Sequence, residues 1–179
     1  YTRSVAVGRA EEIQRIFIVR HGESKWNEAQ SSKNLAGMMH FDHGLSRKGM
    51  EQARSLNAKW KATVGKADCS EAEQQFLKAD CIYASPLTRA TQTCLLAGQD
   101  PPSIQQQGVR LLSTCREIKN LGGLDSVGVA TGEGIAARVW AMLGEELGVE
   151  AAAAAMDGVE LDPYDCATEW WTKDKDTSK

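Results

Sequence analysis

The chain has 179 residues, 42% of them hydrophobic, and a net charge of −3, which is enough for one domain with a substantial core. No basic block stands out, which argues against nucleic-acid binding, and no apolar run approaches the ~18 residues of a membrane span. The five cysteines (Cys69, Cys81, Cys94, Cys115, Cys166) are scattered, with no C-x-x-C pair. That pattern fits a reduced intracellular protein, cytoplasmic or organellar, better than a disulfide framework or a zinc site. The chain begins at Tyr1, and Arg3, Ser4 and Arg9 precede the first acid, which is compatible with a trimmed targeting segment.

In chain order, residues 1–14 are polar and small and predict a flexible lead-in. Residues 15–179 then predict a single, partial α/β domain. Ile16-Phe17-Ile18-Val19 reads as a short, fully buried strand that ends abruptly at Arg20-His21-Gly22-Glu23. From Gly22 to Gly44 no helical or strand period holds, so this stretch predicts a long loop walling a ligand site. Ser46 is a candidate N-cap for a helix with Met50, Ala53, Leu56 and Trp60 on one face. Ser70 and Glu73 have capping-box spacing and open a short helix through Leu77.

Cys81–Ala84 predicts a second buried strand, and Pro86 pre-sets a helix from Leu87 to about Ala97, closed by Gly98. Pro101-Pro102 predicts a turn and an extended connection to a third strand, Val109–Leu112. Residues 122–134 are glycine-rich and loop-like. Ile135, Val139, Met142 or Leu143, and Leu147 form the stripe of a helix ended by Gly148. Ala151–Ala155 suits either a helix or a tolerant linker. Strands alternating with helices imply a three-layer α/β/α arrangement with a mostly parallel central sheet, incomplete in this chain.

The chemistry gathers at the ends of the three strands, where open α/β sheets bind ligands. Arg20 offers a bidentate fork for phosphate oxygens, and neutral His21 offers a nucleophilic ring nitrogen. Gly22 permits a sharp exit at which backbone N–H groups approach a ligand. Arg89 lies in the first turn of a helix, where an anion is favoured. Glu117 follows the third strand as a candidate proton donor to a leaving oxygen. Singly, such an arginine is usually solvated and such a glutamate usually caps something. Together they point to phosphate chemistry. No His/Cys/Asp spacing builds a closed metal site, and no cofactor is implied.

These stretches resemble the histidine phosphatase superfamily, also called phosphoglycerate-mutase-like. The matching residues are Val19–Ser24 with Trp26-Asn27, Gly44–Ser46 through Gly49, Ile82–Leu87 through Arg89-Ala90 and Thr93, and Arg116-Glu117. The resemblance implies that His21 attacks phosphorus to give a phosphohistidine. It further implies that Arg20 and Arg89 hold the phosphoryl oxygens, Asn27 assists, and Glu117 is the acid/base. The substrate class implied is a phosphorylated small molecule or a phosphoprotein. Glycolytic mutases follow their catalytic Glu with an Arg-and-aromatic-Gly stretch. Here Glu117 is followed by Ile118-Lys119-Asn120-Leu121-Gly122-Gly123, which favours a phosphomonoester hydrolase over a mutase. The long loop and the segment from Lys119 to Asp125 are the candidate determinants of substrate choice.

Members of this family also carry a second catalytic His late in the chain. The only histidines here are His21, His40 and His43; the last two sit in the loop and could reach the site, but read rather as solvated loop residues, and neither fits the strand-end position of the missing His. The strand bearing the second His lies, in that fold, between the first two strands, so its absence predicts a gap in the hydrogen-bond ladder. Unpaired buried backbone groups cost ~1–3 kcal/mol each. Two expectations follow. One is a chain that continues beyond residue 179, with the tail 172–179 leading into a helix capped at Asp176 or Thr177. The other is a catalytically inactive subunit of a larger assembly, with Trp140, Trp170 and Trp171 as interface anchors, or Trp140 as core.

Overall fold

Thr2–Val7 (β1) and Gln14–Val19 (β2) pair antiparallel, in a register running from Thr2 opposite Val19 to Val7 opposite Gln14. Part of the predicted lead-in is therefore strand. The computed structural model describes residues 2–7, 14–66, 68–117 and 124–171. The tail 172–179 and most of the Lys119–Asp125 segment, both singled out in the sequence, lie outside the described residues.

Strand β2 is not the fully buried strand that its composition predicts: Ile16 is 46% exposed and Ile18 53%. A strand of an antiparallel pair commonly packs only one face, and alternate side chains then meet water. The inward residue is Phe17, set edge-on to Phe76 at 5.5 Å, and Phe76 in turn stacks on Trp60 at 4.2 Å.

The predicted long loop carries two short helices, Lys25–Ser31 (α1) and Leu35–Met38 (α2). Both are too short for a 3.6-residue period to register. Their sequence signal is the caps: Ser24 and Asn27 form a reciprocal capping box, and Asn34 accepts from the Gly37 N–H. Helix α3 (Arg47–Thr63) starts at its predicted cap, Ser46, and buries Met50, Ala53 and Trp60. Helix α4 (Glu71–Leu77) has the predicted Ser70–Glu73 capping box.

Beyond α4 lie β3 (Tyr83–Ala84), α5 (Thr88–Ala97), α6 (Pro102–Gln107) and β4 (Val109–Leu111). Where an extended connection is predicted after Pro101, Pro102 opens α6 instead, its ring pre-set for a first helical turn. Then come α7 (Glu133–Leu147), α8 (Val149–Met156), which takes up the alanine run, and β5 (Leu161–Asp162).

Strands β3, β4 and β5 form a parallel sheet in that order, and β1–β2 forms a separate one. The fold is α/β with a small, mostly parallel sheet. Strands β2 and β3 lie in separate sheets, and among the described residues they are not hydrogen-bonded to each other.

The core runs from Leu45 and Met50 through Leu87, Leu95 and Leu96 to Val109, Leu111, Val139, Leu143 and Trp170. Burying each such side chain is worth ~1.5–3 kcal/mol. Trp170 is only 1% exposed, and its indole N–H donates to the Ala130 carbonyl at 3.0 Å. A Cβ on Gly128 would collide with the Trp170 ring. Trp170 is therefore a core residue and not the surface anchor that the tail suggests, and Trp171 packs edge-on against it at 5.2 Å. Trp140, by contrast, is 41% exposed rather than core. The five cysteines are free. Among the described residues no helix is long and apolar enough to cross a membrane.

Candidate active site

Two glycines without room for side chains shape the turn after β2. A Cβ on Gly22 would lie 2.5 Å from the Gly49 carbonyl oxygen, and one on Gly49 would strike the Glu23 carbonyl oxygen. The turn thus sits directly on the first turn of α3. Ser46 N–H donates to the Glu23 carbonyl at 2.9 Å. The Glu23 carboxylate accepts from Lys48 Nζ at 2.8 Å and Ser46 Oγ at 2.9 Å. Those two bonds, Lys48 first, hold the Glu23 carboxyl below its ordinary range. On the other side, Gly22 N–H donates to Thr93 Oγ1 at 3.1 Å, and Thr93 donates to the Arg89 carbonyl. The Gly22 N–H is thus engaged by α5, whereas the sequence reading turns it toward a ligand.

This clamp brings His21 against Arg89. His21 Nδ1 lies 2.6 Å from the Gly22 carbonyl oxygen, and Arg89 Nε lies 3.3 Å from His21 Nε2. A carbonyl only accepts and a guanidinium only donates, so Nδ1 carries the proton and Nε2 the lone pair. Burial is the largest influence on this ring and pulls its pKa below 6.5. The Gly22 carbonyl opposes that shift, Arg89 and Arg20 add to it, and Glu117 opposes it weakly. The ring is neutral at pH 7, with its free nitrogen toward Arg89.

Arg89 is 1% exposed. Its NH2 pairs with Glu117 Oε2 at 2.8 Å, and its NH1 reaches the Asp125 carbonyl at 2.9 Å and Asp125 Oδ1 at 3.1 Å. His21, Glu117 and Asp125 therefore converge on the Arg89 guanidinium. Arg20 is exposed, close enough to bias His21 electrostatically. Asn27 stands apart from this convergence: its carboxamide oxygen accepts from Ser24 N–H at 3.1 Å and Ser24 Oγ at 2.9 Å.

A sequence model of the histidine phosphatase superfamily (branch 1) matches residues 16–120, from within β2 to just past Glu117. The chain belongs to that family. No curated protein and no solved structure matches the chain. Phosphoryl transfer is the chemistry associated with histidine phosphatases, and a buried guanidinium beside an unprotonated imidazole nitrogen suits it.

This histidine phosphatase domain also uses residues that the sequence reading passed over. Asp42, at φ 45°, accepts from Thr88 N–H and Thr88 Oγ1, each at 2.7 Å, and from Arg138 Nε at 3.1 Å. It thereby caps α5 and ties α7 to it. Burial pushes the Asp42 carboxyl up, and the Thr88 and Arg138 bonds oppose that shift.

His43 is 5% exposed, so it is not the solvated loop residue predicted, whereas His40 is exposed. Its ring bonds Asp125 Oδ1 through Nδ1 at 3.0 Å and the Gly37 carbonyl through Nε2 at 2.8 Å. Asp125 lies in a loop-like stretch with no pattern to mark it. Thr93, one helical turn after Arg89, was within reach of the sequence as a residue on the same face.

A cleft of about 810 Å³ opens beside this centre, lined by Lys25, Glu28, Phe41, His43, Arg138 and Met142 among others. It meets the centre at His43 and is not lined by His21, Arg89 or Glu117. Among the described residues no cluster of three or more His, Cys, Asp or Glu side chains is arranged to hold a metal ion.

Proposed function

We propose that the chain is a phosphomonoester hydrolase working through a phosphohistidine on His21, with a phosphorylated small molecule or phosphoprotein as substrate. The supporting observation is the 3.3 Å approach of Arg89 Nε to His21 Nε2, which puts a cation where phosphoryl charge would develop. In this reading residues 15–179 act as one unit. Nε2 attacks phosphorus, and the N–P bond forms as the ester O–P bond breaks. Arg89 turns its Nε–H from His21 to a phosphoryl oxygen, and exposed Arg20 takes another. Glu117, displaced from Arg89 by the phosphoryl group, takes a proton from solvent and passes it to the leaving oxygen. Water then attacks phosphorus and loses a proton to the Glu117 carboxylate, and inorganic phosphate leaves with His21 regenerated. Gly22 holds the turn, and the side-chain NH2 of Asn27 assists. Preorganised donors of this kind are worth roughly 10²–10³ each in rate. Hydrolysis of p-nitrophenyl phosphate by the chain, lost in His21→Ala, is the expected result; equal turnover by the two proteins overturns the assignment.

A second reading, a catalytically inactive subunit with a structural role in an assembly, draws on a different observation. Every nitrogen of Arg89 already has a partner in His21, Asp125 or Glu117, so an incoming anion competes with those partners for its N–H groups. This reading expects no turnover and no weakening of assembly in His21→Ala.

A further inference from the structure

The His43 ring is held between two oxygens. Asp125 Oδ1 at 3.0 Å and the Gly37 carbonyl at 2.8 Å are both oxygens that only accept. A neutral imidazole has one N–H and leaves one of them facing a lone pair; an imidazolium satisfies both. Asp125 Oδ1 is also the atom that Arg89 NH1 contacts at 3.1 Å. One buried carboxylate oxygen therefore stands between the His43 ring and the Arg89 guanidinium, and that guanidinium stands between two carboxylates, Asp125 and Glu117.

We propose that protonated His43 is a positioning residue for phosphoryl transfer: it neutralises Asp125 and so leaves the charge of Arg89 available to the phosphoryl group. This rests on the reading of the site given above. With His43 protonated, Asp125 is balanced by His43, and Arg89 faces only the half-exposed, displaceable Glu117 carboxylate. With His43 neutral, Arg89 alone balances two carboxylates, and an incoming dianion competes with both. Loss of the proton also breaks one tether, either to Asp125 or to Gly37 of the loop carrying α2. The Asp125 and Gly37 bonds favour the charged ring strongly enough to lift its pKa above 6.5, against burial and the nearby Arg89.

The other charged or titratable groups around His43 come from three elements. His40, in the same loop, has its ring centroid 6.0 Å away. Arg138 of α7 and Lys25 of α1 line the same cleft, but Asp42 and Glu146 respectively engage them. Glu28 of α1 also lines it. Burial, with the Arg89 and Arg20 charges, holds His21 below its ordinary range, so His21 loses its proton at lower pH than His43.

Sulfate is a suitable probe, since it is a dianion throughout and does not titrate. Its affinity for the intact chain, measured by calorimetry from pH 6.5 to 9, should weaken about tenfold in the wild type. It should weaken equally in His40→Gln, and stay flat in His43→Gln. Long-range proton–nitrogen NMR of the wild type should show both His43 nitrogens protonated at neutral pH, with a titration midpoint that falls in Asp125→Asn. A single protonated His43 nitrogen at neutral pH overturns the proposal. So does an unchanged sulfate pH slope in His43→Gln, or no sulfate binding at any pH. None of these readouts needs turnover. A chain that fails to hydrolyse p-nitrophenyl phosphate yet gives the expected titrations therefore removes the hydrolase assignment and leaves the His43–Asp125–Arg89 coupling standing.

Discussion

Arg89 Nε and His21 Nε2 lie 3.3 Å apart although 68 positions separate them in the chain. The contact is made by a turn pinned between α3 and α5. Gly22 lies against Gly49 on one side and donates to Thr93 on the other. The active-site arrangement is therefore a packing result as much as a matter of side-chain chemistry, and the predictions below separate the two.

Arg89→Lys keeps a charge but loses the planar fork that reaches His21, Asp125 and Glu117 at once. The proposed hydrolase activity should fall at least about 10²-fold, with the fold retained by circular dichroism. Arg89→Ala additionally takes one partner from Asp125, whose side chain is 12% exposed and which keeps His43. With that carboxylate still paired, the cost should stay below the ~3–5 kcal/mol of a fully broken buried pair, readable as a lower urea midpoint.

Gly22→Ala should be costly for a purely steric reason. Its Cβ would lie 2.5 Å from the Gly49 carbonyl oxygen, so the turn must move off α3. The expected loss is ~1–3 kcal/mol. Thermal unfolding measures that loss, and displacement of His21 from Arg89 should lower activity as well.

The pH dependence at His21 has a definite sign. Its folded value is depressed below 6.5, so between the two values the unfolded chain binds more protons and stability rises with pH. That contribution is complete above 6.5 and is lost as pH falls through the folded value. An NMR titration of the His21 ring should give a midpoint below 6.5. Arg20→Gln should raise it, because Arg20 is one of the charges that lower it.

Asp42 offers a structural test away from the reacting atoms. Asp42→Asn keeps one acceptor for the α5 N-terminus and tolerates the left-handed φ of 45°, but sets a donor where Oδ2 accepts from Arg138 Nε, so it should cost about 1 kcal/mol. Asp42→Ala loses the cap and leaves Arg138 Nε without its carboxylate. It should cost about 2 kcal/mol or more by denaturant titration.

The fold and the family were legible in the sequence wherever one local rule decided the outcome. Ser46 and Ser70 cap the helices that their spacing predicts, and the family match spans the residues that carry the resemblance. The burial of β2 was misjudged. Composition reports that Ile16 and Ile18 are apolar but not whether a second sheet neighbour or a covering layer exists for them. Helices α1 and α2 were missed because seven and four residues leave no period to detect. His43 and Asp125 were illegible for another reason. Their pairing joins two loops 82 residues apart, and nothing local in either loop signals a buried charge.

The most direct test is to quench the chain during turnover of a phosphorylated substrate under alkaline conditions and locate bound phosphate by mass spectrometry. The account predicts an acid-labile phosphate on His21, absent from His21→Ala. Phosphate on another residue, or undiminished turnover by His21→Ala, would contradict it.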